Sequence, residues 1–162
     1  MSETTRKAEA ATAPLIQDVK TISLICILAW FIPGTGHLML KGPRRALTFL
    51  ILITFLFYWG LGLGAKIYQY DPQQPLTFFA MIAQMGMGLP YIVARYIASY
   101  AQGHPAGVLY AFAESFRFGQ GNIESFSFEY GNTFSIVAGL LNFLVILDAY
   151  DIAVGRKKDR NA

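Results

Sequence analysis

Long stretches without a charged residue alternate with short polar segments along this chain. Four stretches hold no Asp, Glu, Lys or Arg, at residues 21–40, 46–65, 72–94 and 130–147. An α-helix needs about 20 apolar residues to cross about 30 Å of hydrocarbon. The pattern therefore predicts an all-α membrane protein with about four transmembrane segments, at about residues 21–40, 46–65, 76–94 and 130–148.

The segments between and around these stretches predict a simple organisation. We expect a solvated N-terminal tail over residues 1–20, one transmembrane domain over 21–152 and a basic C-terminal tail over 153–162. Residues 95–129 are too polar to cross a bilayer. They carry Leu109, Phe112, Ala113 and Phe116 at helical spacing, which predicts one interfacial amphipathic helix lying flat on the membrane.

A cleaved signal peptide is the competing interpretation of the N-terminus. Residues 22–32 have the length of its apolar region, and Pro33–Gly36 follows. The charges of the preceding tail cancel, however, whereas a signal peptide carries a net positive charge there. We therefore expect the first apolar segment to stay in the protein.

Two apolar segments contain residues that interrupt a helix. The first is broken at Pro33–Gly36, which predicts either a kinked span or a hairpin that enters and leaves on one side. The third combines polar, small and Pro residues, as expected where a helix bends and packs against neighbours; these are Gln84, Gly86, Gly88 and Pro90. The second ends with Gly60 and Gly64, whose spacing predicts a helix face open to close approach.

The positive-inside rule does not choose between these topologies. Four crossings place eight Lys and Arg residues on one side and five on the other, and a hairpin in the first segment again gives eight and five. We expect four crossings with both termini in the cytoplasm, because the first segment is long enough to cross and residues 156–160 form a strong cytoplasmic anchor.

Composition narrows the function classes. Charged residues make up 14% of the chain, against roughly 25% in soluble domains, so a water-soluble enzyme is unlikely. Ion-coupled transporters and proton pumps place charges within the membrane, and none lies in these segments, which disfavours both. The net charge is +3, and the basic residues cluster beside apolar segments. This placement favours lipid headgroups over nucleic acid as the binding partner. The expected headgroup contacts are Lys41, Arg44, Arg45, Arg156, Lys157 and Lys158.

Three polar residues near segment ends are candidates for function. His37 is either a ligand or proton carrier, or a structural histidine that bonds the backbone freed by the adjacent glycines. Asp148 and Asp151 lie three residues apart on one helix face. They would bind a cation, act as an acid–base pair, or form salt bridges with the basic residues that follow.

Other candidate chemistry is weak. Haem or pigment ligation by His37 or His104 has no spacing signature, and the methionines of the third segment are typical of packing. The sequence has no Gly-x-Ser-x-Gly motif, no phosphate-binding glycine loop and no paired Cys/His spacing. We therefore expect no catalytic residue, no cofactor and no metal.

Aromatic residues are also frequent in the polar segment between the third and fourth apolar stretches. Residues 95–129 contain eight of them. We expect Phe112, Phe116, Phe126 and Phe128 to form the main surface facing a protein partner or lipid, with residues 125–130 as an extended contact strand. The alternative is that this segment packs onto the protein's own helix ends.

The motif Pro33-Gly34-Thr35-Gly36-His37, followed by Lys41-Gly42, is the most distinctive stretch. It resembles a segment of small bacterial membrane proteins of a domain-of-unknown-function family related to the two-transmembrane-domain, Pro-Gly-x-Gly-His proteins. Residues 139–157 resemble the C-terminal segment of the same family. The resemblance implies a bacterial inner-membrane location and no established activity.

These observations favour a non-catalytic accessory subunit that packs against, and stabilises or assembles, a larger membrane complex. Its partners would be membrane lipids and other integral membrane subunits, with no nucleic acid. The alternative is a small channel or transport element that uses the broken first segment.

Overall fold

A computed structural model describes residues 19–104, 106–115 and 118–157. Within these ranges the chain forms helices and turns and no strand, which confirms the all-α prediction. The helices are α1 (Val19–Phe31), α2 (Thr35–Met39), α3 (Pro43–Gly62), α4 (Leu76–Met85), α5 (Leu89–Gly103), α6 (Val108–Ser115) and α7 (Phe128–Ala153).

Two long helices, α3 and α7, form the centre of the fold. They have 20 and 26 residues, and each is long and apolar enough to cross a membrane. Gly60 near the end of α3 packs on Gly131 near the start of α7, where a Cβ on Gly60 would lie 2.7 Å from the Gly131 carbonyl oxygen. The two helices are therefore antiparallel and closely packed.

The prediction of four transmembrane segments is wrong, because the structure has fewer helices that could each cross a membrane. Helix α1 has 13 residues, so it extends only about 20 Å. The third apolar segment bends by 120° at the break between α4 and α5. Among the described residues, two helices, or three if the bent pair is one span, remain as candidates by length and composition. The physical cause is the Pro and Gly residues in the first and third segments, which end helices that would otherwise continue.

The first apolar segment folds as a helical hairpin, made of α1 and α2. Ile25 of α1 packs against Ala149 and Ala153, near the end of α7. The end of α1 reaches Asn142, the fifteenth of the 26 residues of α7. The chain then turns back, so that Gly36 of α2 also lies against Ala149. This first hairpin therefore begins and ends at the same end of the bundle.

The third apolar segment forms a second hairpin, made of α4 and α5, from the opposite end. Its tip at Gly86 packs on Gly139 of α7. Helix α5 then returns, and the Tyr91 hydroxyl donates to the Tyr68 carbonyl oxygen at 3.1 Å, in the loop that follows α3. The core between this hairpin and the long helices is apolar and includes Ile53, Phe57, Met87, Ala94 and Ala138.

The two ends of the bundle differ in charge. The basic end, where α3 begins and α7 ends, carries six of the eight Lys and Arg residues in the described ranges: Lys20, Lys41, Arg44, Arg45, Arg156 and Lys157. The distal end, where α3 ends and α7 begins, carries Lys66 and Arg95. It also carries four carboxylates, Asp71, Glu114, Glu124 and Glu129.

Residues 95–129, the distal segment, contain the short helix α6, which packs beside α5. The sequence predicted one helix in this segment. The expected extended strand at residues 125–130 is absent, because α7 begins at Phe128 and the residues before it form turns. The Ser125 amide donates to the Asn122 carbonyl oxygen, and the Ser127 hydroxyl donates to the Leu63 carbonyl oxygen. These hydroxyl and turn contacts replace the pairing that a strand would need.

Candidate functional site

The tips of the two hairpins meet at Asn142, midway along α7. The Asn142 Nδ2 donates to the Gly86 carbonyl oxygen at 2.7 Å and to the Ala29 carbonyl oxygen at 3.3 Å. The Trp30 indole N–H donates to the Met85 carbonyl oxygen at 2.9 Å. Broken helices leave carbonyl groups without partners, and apolar surroundings make such groups costly. Two side chains thus satisfy the helix ends of both hairpins.

Glycines make this meeting possible. A Cβ on Gly88 would lie 1.8 Å from the Trp30 carbonyl oxygen, and Gly88 has a φ of 64° that favours glycine. A Cβ on Gly139 would lie 1.8 Å from the Ala83 carbonyl oxygen. The second hairpin can therefore approach the first hairpin and α7 this closely because these two positions are glycine and have no side chain.

On the distal side, the side chain of Gln84 also satisfies backbone groups that lie outside a helix. It is fully buried, and its Oε1 accepts a hydrogen bond from the Tyr68 amide at 2.9 Å. Its Nε2 donates to the Lys66 carbonyl oxygen and to the Ser135 hydroxyl, each at 2.9 Å. Asn132 accepts a hydrogen bond from the Lys66 amide. These buried polar side chains hold the loop that follows α3.

A family model described as a family of unknown function, DUF6677, matches residues 24–158. The chain belongs to DUF6677. The match covers both long helices and both hairpins apart from the first five residues of α1. Comparison with curated proteins and comparison with solved structures each give no match.

At the basic end of this DUF6677 protein, two of the candidate polar residues meet. His37 is 1% exposed, and its Nε2 lies 2.9 Å from Asp148 Oδ2. Lys157 contacts the other oxygen of the same carboxylate. The His37 ring packs edge-on against Phe49. The cluster joins the first hairpin to α3 and to the end of α7.

Asp151 lies apart from this pair. It contacts Arg156 at 3.7 Å, and both side chains are substantially exposed. Its carbonyl oxygen accepts from the Arg156 and Lys157 amides, which ends α7. The structure therefore does not bring Asp148 and Asp151 together around a common ligand.

The basic residues named for headgroup contact fall into two groups. Arg156 and Lys157 lie beside carboxylates. Lys41, Arg44 and Arg45 lie around the turn between α2 and the start of α3. Lys158 lies outside the described residues.

The aromatic residues of the distal segment differ in exposure. Phe126 is 90% exposed, and Phe112 is also exposed. Phe128 is half-buried, and its ring lies 2.7 Å from the position of a Cβ on Gly121. Phe116 lies outside the described residues. Of the four, Phe126 has the largely open ring in the described part of the chain, whereas Phe112 is 44% exposed and packs its ring against Phe118.

Three further candidates also have clear positions. Gly60 packs against α7 of the same chain, whereas Gly64 lies beyond the end of α3 with a φ of 88°, so the two glycines do not share a helix face. His104 stacks on Tyr100 at the end of α5. His37 and His104 therefore lie at opposite ends of the bundle.

Some residues of the hairpin junction carried little signal in the sequence. Gln84 and Asn142 stand out in the sequence because they are strongly polar residues within apolar segments. Their polarity is the feature from which a role at the junction could be predicted. Trp30 and Tyr91 look like ordinary membrane aromatics, and their hydrogen bonds depend on the fold.

Proposed function

We propose that this DUF6677 protein lies in the bacterial cytoplasmic membrane with the basic end in the cytoplasm. In this topology α3 and α7 cross, and the two hairpins enter from opposite sides without crossing. Counted by chain order, ten of the thirteen Lys and Arg residues are then cytoplasmic and three are not. That asymmetry is stronger than the eight and five of either topology considered from the sequence. Both termini are cytoplasmic.

Within this topology, we propose a non-catalytic accessory subunit that packs against a larger membrane complex. The observation that carries the proposal is the apolar surface at the distal end. Phe126 is 90% exposed and Ile123 is 76% exposed, in a segment outside the long helices. Large apolar side chains this exposed outside the long helices are candidates for contact with a partner.

The use of the buried polar groups supports a non-catalytic role. Gln84 bonds the loop that follows α3, and the Asn142 amide nitrogen bonds the hairpin tips. A transport or catalytic site at this depth would need polar groups directed at a substrate. Apart from Asn142 Oδ1, which is buried without a hydrogen-bond partner in the described chain, the polar atoms of these two side chains bond the protein's own fold.

Replacement of Phe126 by Ser tests the subunit proposal. We expect F126S to lose co-purification with membrane partners from native membranes while inserting normally, since insertion depends on the long apolar helices. Leu76→Ser is the matched control, because Leu76 is also strongly exposed at the distal end but belongs to α4. Unchanged co-purification of F126S would contradict the proposal.

A small channel or transport element is the second candidate. Two opposed half-membrane hairpins that meet at mid-depth are the arrangement in which transporters place their substrate sites. In this structure the meeting point is closed, with Asn142 and Met87 fully buried. Solute flux into liposomes that contain the purified chain alone would support this candidate, and absence of flux would favour the subunit.

A further inference from the structure

Two adjoining cavities open at the basic end, between the first hairpin and the start of α3. One has a volume of about 410 Å³ and is lined by Lys41, Gly42, Pro43 and Arg44. The other has a volume of about 300 Å³ and an apolar lining that includes Pro33, Leu38, Pro43, Leu47 and Leu50. Pro43 lines both cavities. A cationic cavity, the mouth, and an apolar groove therefore both border Pro43.

The cations at the mouth have no carboxylate partner among the described residues. Arg156 and Lys157, at the same end, lie beside Asp151 and Asp148. No carboxylate of the described chain lies within ion-pair distance of Lys41 or Arg44. Within the described part of the chain, their charge is therefore open to an external anion.

The backbone of Lys41 adds a second observation. Lys41 has a φ of 61°, and it is the single non-glycine residue with positive φ in the described ranges. It follows the end of α2, where the Gly42 amide donates to the His37 carbonyl oxygen at 2.8 Å. Helices commonly end in this way with glycine at the left-handed position. The turn alone therefore does not account for a lysine here.

We propose that the two cavities hold one anionic phospholipid. Its phosphate group lies between Lys41 and Arg44, and one acyl chain lies along the groove beside Leu38 and Leu47. Lys and Arg residues near a membrane surface attract anionic headgroups. The groove continues onto the exposed apolar face of α3, which suits an acyl chain better than a soluble acidic peptide. This site goes beyond the subunit role, since it needs no protein partner.

Lipid titration of the purified full-length chain in a neutral detergent, read by native mass spectrometry, tests the site. The probes are dioleoyl phosphatidylglycerol, dioleoyl phosphatidylcholine and glycerol phosphate. We expect phosphatidylglycerol to bind more tightly than the other two. The double variant K41Q/R44Q should weaken its binding about thirtyfold. Lys66→Gln, which removes a charge at the distal end, should leave binding within about twofold of the wild-type value.

Three further variants keep stability apart from binding. Lys41→Gly places the favoured residue at the left-handed position, so it should fold at least as stably as wild type and still lose about fivefold in phosphatidylglycerol affinity. Leu47→Gln should weaken binding, whereas Leu147→Gln should not, although the two leucines are equally exposed at 57% and 58%.

Several results would overturn the proposal. Equal affinity for phosphatidylcholine would remove the role of charge, and equal affinity for glycerol phosphate would remove the role of the groove. Wild-type phosphatidylglycerol binding by K41Q/R44Q would place the lipid elsewhere. Displacement of the lipid by an equal concentration of a poly-glutamate peptide would assign the cations to an acidic protein partner instead.

Discussion

The side-chain amide of Asn142 donates to the Gly86 carbonyl oxygen at 2.7 Å, and this bond joins the middle of α7 to the tip of the second hairpin. The same nitrogen reaches the Ala29 carbonyl oxygen at the end of α1. One side chain thus connects two helix breaks that enter from opposite ends of the bundle.

Asn142→Leu should destabilise the protein. The substitution leaves the Gly86 and Ala29 carbonyl groups without a donor in a buried setting, which costs about 1–3 kcal/mol. Leu141→Ala, at a partly exposed neighbouring position, is the control and should cost less. Unfolding of both variants in detergent micelles measures the difference. A free energy of unfolding for Asn142→Leu equal to that of wild type would contradict the junction.

Gly139→Ala tests the close approach of the second hairpin to α7. The added Cβ would lie 1.8 Å from the Ala83 carbonyl oxygen, so the backbone must shift, with a cost of about 1–3 kcal/mol. Gly62→Ala is the matched control, because nothing lies within 4 Å of a Cβ there. Thermal unfolding should separate the two variants, and equal midpoints would count against the packing.

Asp148→Ala should destabilise the basic end more than Asp151→Ala. Asp148 is the hydrogen-bond partner of buried His37, and its removal leaves the Nε2 of His37 unsatisfied at a cost of about 1–3 kcal/mol. Asp151 forms an exposed contact with Arg156, and such pairs contribute no more than about 1 kcal/mol. If chemical unfolding gives the same loss for both variants, the His37–Asp148 pair has no special role in stability.

Gln84→Leu should loosen the loop that follows α3. The Tyr68 amide and the Lys66 carbonyl group both lose their buried partner. Hydrogen–deuterium exchange over residues 65–70 should therefore speed up by at least tenfold, the equivalent of about 1.4 kcal/mol. Gln69→Leu is the control, since Gln69 is exposed. Equal exchange in the two variants would show that Gln84 does not hold this loop.

Much of the fold was predictable from local patterns. The charge-free stretches contain the apolar helices, and the breaks in the first and third stretches coincide with Pro33–Gly36 and with Gly86 and Gly88. These features act within a few residues along the chain. Helix breaks of this kind are therefore visible in the sequence.

The direction of the chain after each break was not predictable in the same way. It depends on contacts between distant residues, such as the Asn142 bonds to Gly86 and Ala29, which are 56 and 113 residues away in sequence. The count of basic residues could not help, because both topologies considered gave eight and five. The topology with two hairpins was not among them.

The candidate polar site was predictable in part. His37 and Asp148 were each singled out, but their contact joins residues 111 positions apart. Asp151 was grouped with Asp148 by helical spacing. The structure separates them, because Asp148 points to the first hairpin while Asp151 lies beside the exposed Arg156. Spacing alone gives a shared helix face and does not tell which neighbour each side chain meets.

The most direct test of the double-hairpin topology is the accessibility of two single cysteines. Cys26, the only native cysteine, is replaced by Ser, and Gln73→Cys and Gln102→Cys are made separately in that background. Both glutamines are exposed at the distal end, one before α4 and one near the end of α5. Arg156→Cys marks the basic end as the control.

In intact cells, a membrane-impermeant maleimide should label Gln73→Cys and Gln102→Cys equally and leave Arg156→Cys unlabelled until the membrane is opened. A third apolar segment that crosses the membrane would place residues 73 and 102 on opposite sides. Labelling of one of the two without the other would therefore contradict the double-hairpin topology.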